Sequence, residues 1–239
     1  MPRMSWPARP GPERRALRAP SGRAALSAVV VVLTVGIFAA VADHGTLTSI
    51  QRLDDAWLRL MVSGRAPPLT AIAKVFNLLG LVYVTLPTRM IVAGFLALRR
   101  RWWHLAAFTG AVVLSEVLIG VLKGIYERAR PPGSLVVTTG ASFPSGHAVA
   151  ASATVVAAVI ALAPSGRRRA WWALAAMAFS ILMGLSRAYL GAHWLSDAVA
   201  GVLLGMSCAV VTALMVGQLQ RRTERRGDRH EYRPDPSGR

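Results

Sequence analysis

Residues 105–122 read LAAFTGAVVLSEVLIGVL, eighteen residues with a single charge, Glu116. A helix needs roughly 20 apolar residues to cross the hydrocarbon of a bilayer, so this stretch reads as a membrane span. Five further runs have the same character. Residues 24–42 carry no charge, and 69–98 are interrupted by Lys74, Pro87 and Arg89. Residues 147–163, 170–185 and 194–216 complete the set. The chain has 239 residues, 54% of them hydrophobic, which is more apolar than a soluble domain of this length. The expectation is an all-α, polytopic membrane protein with six transmembrane helices, its single domain covering 24–217.

The net charge is +17, which by itself suits nucleic acid, but its distribution does not. Six basic residues lie before Ala24 and seven after Gln220, with three more in each of the runs Arg99-Arg100-Arg101 and Arg167-Arg168-Arg169. Such clusters between apolar runs are cytoplasmic anchors under the positive-inside rule, able to touch anionic headgroups. No basic stripe with interleaved aromatics occurs, so nucleic acid is not an expected partner. With the N-terminus cytoplasmic, every basic loop falls on the cytoplasmic side. Segments 43–68, 123–146 and 186–193 then face outward. The expected location is the cell (inner or plasma) membrane, with both termini cytoplasmic as basic, disordered tails over 1–23 and 218–239. The segment 43–68, with Asp43, Asp54, Asp55 and Trp57, suits a short interfacial helix.

The first run ends Ala40-Val41-Ala42, which also suits a cleaved signal. It is longer than the usual apolar core of such signals, so a retained helix is expected. Cys208 is the only cysteine and excludes an intrachain disulfide.

Two outward segments differ from their surroundings. The first holds Lys123, Arg128 and Arg130, cations on the side where the loop rule predicts few, and they call for an anionic partner. Arginine offers phosphate a planar fork and lysine a point charge. Phe143-Pro144-Ser145-Gly146-His147 follows, at a helix start. Proline and serine there are ordinary capping chemistry. A helix N-terminus with Ser145 and Gly146 also presents free N–H groups to an anion, and His147 on the first turn can exchange a proton. The second segment holds Ser186-Arg187, His193 and Asp197. The i, i+4 spacing of His193 and Asp197 puts both on one face if the segment is helical. A carboxylate on one imidazole nitrogen frees the other to attack, or the pair merely caps the helix.

The run Lys123-(six residues)-Arg130-Pro131, then Pro144-Ser145-Gly146-His147, then Ser186-Arg187-(five residues)-His193-(three residues)-Asp197 resembles the three signature motifs of the type 2 phosphatidic acid phosphatase (PAP2) family, related to vanadium haloperoxidases. The motifs match in order with no departure at a key position, and they span about 75 residues. The resemblance implies a haloperoxidase-like helical core and an integral-membrane lipid phosphate phosphatase. It implies that Lys123, Arg130, Ser145, Gly146 and Arg187 hold the phosphate. It implies that His193 becomes a phosphohistidine, that Asp197 orients it, and that His147 protonates the leaving alcohol. No metal and no other cofactor is expected, since the loops lack a dense carboxylate cluster. Phosphatidic acid, phosphatidylglycerol phosphate and polyprenyl pyrophosphate are substrates of the expected type. A lipid phosphotransferase using the same histidine, or a non-enzymatic transporter or scaffold, remains open; no residue reports the oligomeric state.

Two charges lie inside apolar runs. Counted from the cytoplasmic ends of their spans at about 1.5 Å per residue, Arg89 and Glu116 differ in depth by roughly 6 Å. An ion pair between them is expected, the other reading being a snorkelling arginine and a protonated glutamate.

Overall fold

The computed structural model describes residues 22–164 and 166–231. Within them the chain is all-helical: α1 (Gly22–Ala42), α2 (His44–Ser63), α3 (Pro67–Leu79), α4 (Val82–Leu98), α5 (Trp102–Tyr126), α6 (Gly146–Leu162), α7 (Arg167–Tyr189) and α8 (Leu195–Glu231). Helices α5, α7 and α8 are each long and apolar enough to cross a membrane. The pairs α1–α2 and α3–α4 qualify as pairs, bent by 100° and 53°, and α6 is a shorter apolar helix of 17 residues. The six expected runs therefore correspond to α1, the α3–α4 pair, α5, α6, α7 and α8, but only three of them are unbroken helices of spanning length.

The run 69–98 breaks at Gly80–Leu81, whereas Pro87 lies inside α4. A Cβ on Gly80 would collide with the ring of His147, so the break is where the first turn of α6 presses on the chain. Beyond the expected end at 216, α8 continues to Glu231, where disorder was expected from 218. Local bonds accompany it, Gln220 to Glu224 at 2.9 Å and Thr223 to the Leu219 carbonyl at 3.1 Å. The expected disorder of 1–21 and 232–239 lies outside the described residues. The short helix expected in 43–68 is α2, which runs for 20 residues and is capped by the Asp43 carboxylate, which accepts from Thr46 N–H at 2.8 Å.

Helix α6 packs against α5, α7 and α8. Most of its buried positions are small, Ala148, Ala151, Ser152, Ala153, Ala157 and Ala161, with Val149 and Thr154 the larger exceptions. On the facing side of α8, a Cβ on Gly201 would fall 2.7 Å from the Ser145 carbonyl, and one on Gly205 would overlap the Val149 carbonyl. Large apolar side chains point outward instead, such as Val32 and Ile91. Lipid tails are as apolar as leucine, so helices in a bilayer associate by close backbone packing, which small residues permit. Exposed Trp102, Trp103, Trp171 and Trp172 sit beside the two arginine clusters, as aromatic residues do at a membrane interface. The expected ion pair forms: Arg89 Nη1 donates to Glu116 Oε1 at 2.7 Å, and Arg89 Nε donates to Thr154 Oγ1 of α6 at 2.9 Å.

Candidate active site

Lys123 lies in the last turn of α5 and Arg187 in the last turn of α7. His147 lies in the first turn of α6 and Asp197 in the first turn of α8. Alternating helix direction therefore collects them at one end of the bundle, opposite the arginine-rich connections that precede α5 and α7. Contacts join the expected residues into one site. Lys123 Nζ and Arg130 Nη2 both donate to the Ala141 carbonyl, at 2.5 and 3.2 Å. Arg130 Nη1 lies 3.2 Å from His193 Nε2. The amides of Ala192 and His193 reach the Arg187 carbonyl at 3.1 and 3.4 Å, and Ser145 N–H donates to the Asp197 carbonyl at 3.0 Å.

His193 is buried in the turn before α8, which begins at Leu195, so it does not share a helix face with Asp197 as the spacing suggested. Its Nδ1 lies 2.7 Å from the Ser142 carbonyl and 3.7 Å from Asp197 Oδ2. A carbonyl only accepts, so Nδ1 carries the proton and Nε2 keeps its lone pair. Nδ1–H thus donates to the Ser142 backbone carbonyl, and the Asp197 carboxylate expected at this nitrogen lies 3.7 Å from it. Burial first of all, aided by the cations Arg130 and Arg187 and opposed by Asp197, lowers the His193 pKa to about 4, which leaves the ring neutral at neutral pH.

Asp197 is fully buried and accepts from Trp194 N–H at 2.9 Å, from Arg128 Nη1 at 2.6 Å, and from Ser142 Oγ in a short bond. The Trp194 bond ties down the amide at the head of α8, as an acidic residue at the third helical position does in a capping box. Arg128 therefore has protein anions as its partners. Its Nη2 donates to Asp54 Oδ2 at 2.7 Å and to Gln51 Oε1 at 2.6 Å, both on α2. Asp54, 2% exposed, also accepts from Ser196 N–H and Oγ at 2.8 and 2.6 Å.

The remaining cations face inward. Arg130 donates to the carbonyls of Thr139, Gly140 and Ala192 at 2.7 to 2.9 Å, drawing the loop after α5 against the turn before α8. Arg187, 2% exposed, bonds Asn77 Oδ1 of α3 through Nη1. Ser145 is the N-cap of α6, but its hydroxyl makes no capping bond. Among the described residues seven buried side-chain atoms have no hydrogen-bond partner, and three of them belong to this site: Ser145 Oγ, His147 Nε2 and Arg187 Nε. Leaving a buried polar group unpaired costs roughly 1–3 kcal/mol, so two at the N-terminus of α6 and one on the Arg187 guanidinium at the end of α7 suit a polyoxyanion. A Cβ on Gly146 would make only ordinary contacts, at 3.8 and 3.9 Å, so the protein's own packing does not demand glycine there.

Sequence reasoning missed Asn77, Gly80, Asp54, Gln51, Ser142 and Ser196. Ser142 stands one residue before the quoted Phe143 run and was within reach. The others lie on α2, on α3, in the break after it or on α8, and carried no local signal of a role here.

Residues 104–221 match the model of the PAP2 superfamily. Over 165 residues the chain is 30% identical to phosphatidylglycerophosphatase B of Bacillus subtilis (strain 168), covering 66% of this chain and 80% of that one. Among solved structures it resembles a transmembrane PAP2-type phosphatidylglycerolphosphate phosphatase from Bacillus subtilis. That match has a TM-score of 0.67 and 24% identity, over 82% of this chain and 96% of that one. It also resembles LpxE of Aquifex aeolicus, with a TM-score of 0.53 and 26% identity over 65% and 91% of the two chains.

Proposed function

Because this chain belongs to the PAP2 superfamily and is a multi-pass membrane phosphatase, we propose that it hydrolyses a lipid phosphate through a phosphohistidine on Nε2 of His193, without a metal. Phosphatidylglycerol phosphate is the first substrate to try, since the relative that is 30% identical is a phosphatidylglycerophosphatase. Phosphatidic acid and polyprenyl pyrophosphate are of the same chemical type.

The observation that carries the reading is the state of His193. The Ser142 carbonyl takes the Nδ1 proton at 2.7 Å, and Nε2, with its lone pair, faces Arg130 at 3.2 Å. Arg130, Arg187, Lys123, Ser145 Oγ and the Gly146 amide would hold the phosphoryl oxygens as charge builds on them, and positioning plus charge stabilisation is most of what phosphoryl transfer requires. In the first step, with His147 protonated beside the negative charge of the bound phosphate, the Nε2 lone pair forms a P–N bond, the P–O bond to the lipid breaks, and the leaving oxygen takes the His147 proton. In the second step water attacks phosphorus and gives a proton to His147. The P–N bond then breaks, its electrons return to His193, and inorganic phosphate leaves. The metal-free reading is supported by how the carboxylates are used: Asp54 and Asp197 are both spent on Arg128.

The test is phosphate release from a panel of these lipids by the purified protein in chelator. Activity is expected without added metal. His193→Ala should lose on the order of 10³-fold or more in kcat. Labelled substrate quenched in alkali should leave label on the protein that acid removes. Full activity in His193→Ala overturns the nucleophile, and strict dependence on magnesium overturns the metal-free mechanism.

A further inference from the structure

We propose that Arg128, anchored by Asp54 of α2, is a positioning residue of the phosphatase centre, neutralising Asp197 so that the His193 ring beside it stays uncharged and able to attack. The inference rests on the phosphohistidine reading above.

Three buried side chains form one chain of charge. Asp54 is 2% exposed, Arg128 has a side chain 9% exposed, and Asp197 is fully buried. Arg128 Nη2 meets Asp54 Oδ2 at 2.7 Å, and Nη1 meets Asp197 Oδ1 at 2.6 Å. The other oxygen of Asp197 lies 3.7 Å from His193 Nδ1. A carboxylate at that range stabilises an imidazolium, and a charged His193 has no lone pair on Nε2. A cation bound to the far oxygen draws the carboxylate charge away from the ring. Asp54 fixes Arg128 from the opposite side, and Gln51 of α2 and Ser196 Oγ of α8 complete its cage at 2.6 and 2.7 Å. The Trp194 ring lies 5.6 Å from the guanidinium carbon. Arg128 makes no hydrogen bond to His193, Ser145 or His147, so it acts through Asp197 and is not itself a phosphate ligand.

Other charged or titratable groups surround the pair. Lys123 comes from α5, Arg130 from the loop after it, His147 from α6, Arg187 from α7 and Asp54 from α2. The cations among them already oppose protonation of His193, and Asp197 favours it. Removing Arg128 therefore leaves two buried carboxylates unbalanced, Asp197 beside the ring and Asp54 behind it.

The experiment is the pH profile of kcat/KM for phosphate release by the full-length protein on one lipid phosphate, so that substrate ionisation is common to every variant. Arg128→Gln should move the acidic limb upward by about one pH unit or more. Arg128→Lys, which keeps the charge, should leave the limb within a few tenths of a unit. Asp54→Asn keeps Arg128 and leaves it to Asp197 alone, so it should move the limb downward. A merely structural role would lower yield or thermal stability without moving the limb in opposite directions. If Arg128→Gln does not fold, Asp54→Asn decides, and a limb that stays or rises overturns the proposal. An unmoved limb in a folded Arg128→Gln overturns it too. Wild-type release and its loss in His193→Ala judge the phosphohistidine reading separately. If those hold and the limb does not move, the inference about Arg128 alone falls.

Discussion

Gly80 shows how much a residue without a side chain can decide. It ends α3, and its Cα lies so close to His147 that a Cβ would overlap the ring. His147 is the proposed acid for the leaving alcohol, and a displacement of about 1 Å at such a group can cost about 100-fold. Gly80→Ala should therefore lower kcat about 10- to 100-fold with a folded protein, checked by kinetics alongside a thermal melt. Unchanged kcat would show that His147 tolerates the shift or has no part in the chemistry. Ser145 carries a related lesson. Its place at a helix start suited simple capping, yet its hydroxyl makes no capping bond and has no partner in the protein. What separates the two roles is where the oxygen points, and that is a property of the folded site.

Among the helices, the contact of α6 with α8 fixes the site, because it sets the N-termini that carry His147 and Asp197. Gly201 and Gly205 let the two backbones meet, the small-residue solution for helices in lipid. Gly205→Ala places a Cβ into the Val149 carbonyl, and overpacking of this kind costs typically 1–3 kcal/mol. The expected result is a lower melting temperature in detergent together with reduced activity, whereas Gly217→Ala, where nothing lies within 4 Å, should leave both unchanged. Equal melting of the two variants would show that the contact is looser than described. Helix α2 matters for a different reason. It lies outside the signature segments, yet Asp54 and Gln51 hold Arg128, and Asp54 also accepts from the Ser196 amide at the start of α8.

Across the whole molecule, the arginine clusters and the site lie at opposite ends of the bundle. The positive-inside rule then predicts the site on the extracytoplasmic face. Single cysteines test this: Val137→Cys lies on the loop beside the site and is 95% exposed, while Arg168→Cys lies in the opposite cluster. The native Cys208 is 2% exposed and gives little background. In intact cells a membrane-impermeant maleimide should label position 137 and spare 168. The reverse pattern would invert the topology.

The sequence determined the material of this protein. Long apolar runs demanded helices, because a backbone in lipid must satisfy its own hydrogen bonds. Clustered arginines set the expected orientation, and the motifs holding Lys123, Arg130, Ser145, His147, Arg187, His193 and Asp197 carried the resemblance to the family to which the chain belongs. It also paired Arg89 with Glu116, because depth along a span can be counted in residues. The tertiary structure decided the connections. The break at Gly80 depends on what presses against it, which no local propensity records. His193 meets the Ser142 carbonyl and not Asp197 directly, because the turn before α8 sets the direction of the ring. Arg128 read as one more cation for phosphate, but folding brings Asp54 to it from 74 residues away. Spacing along the chain reports which groups are present, and only the packing of helices reports which of them neutralise one another.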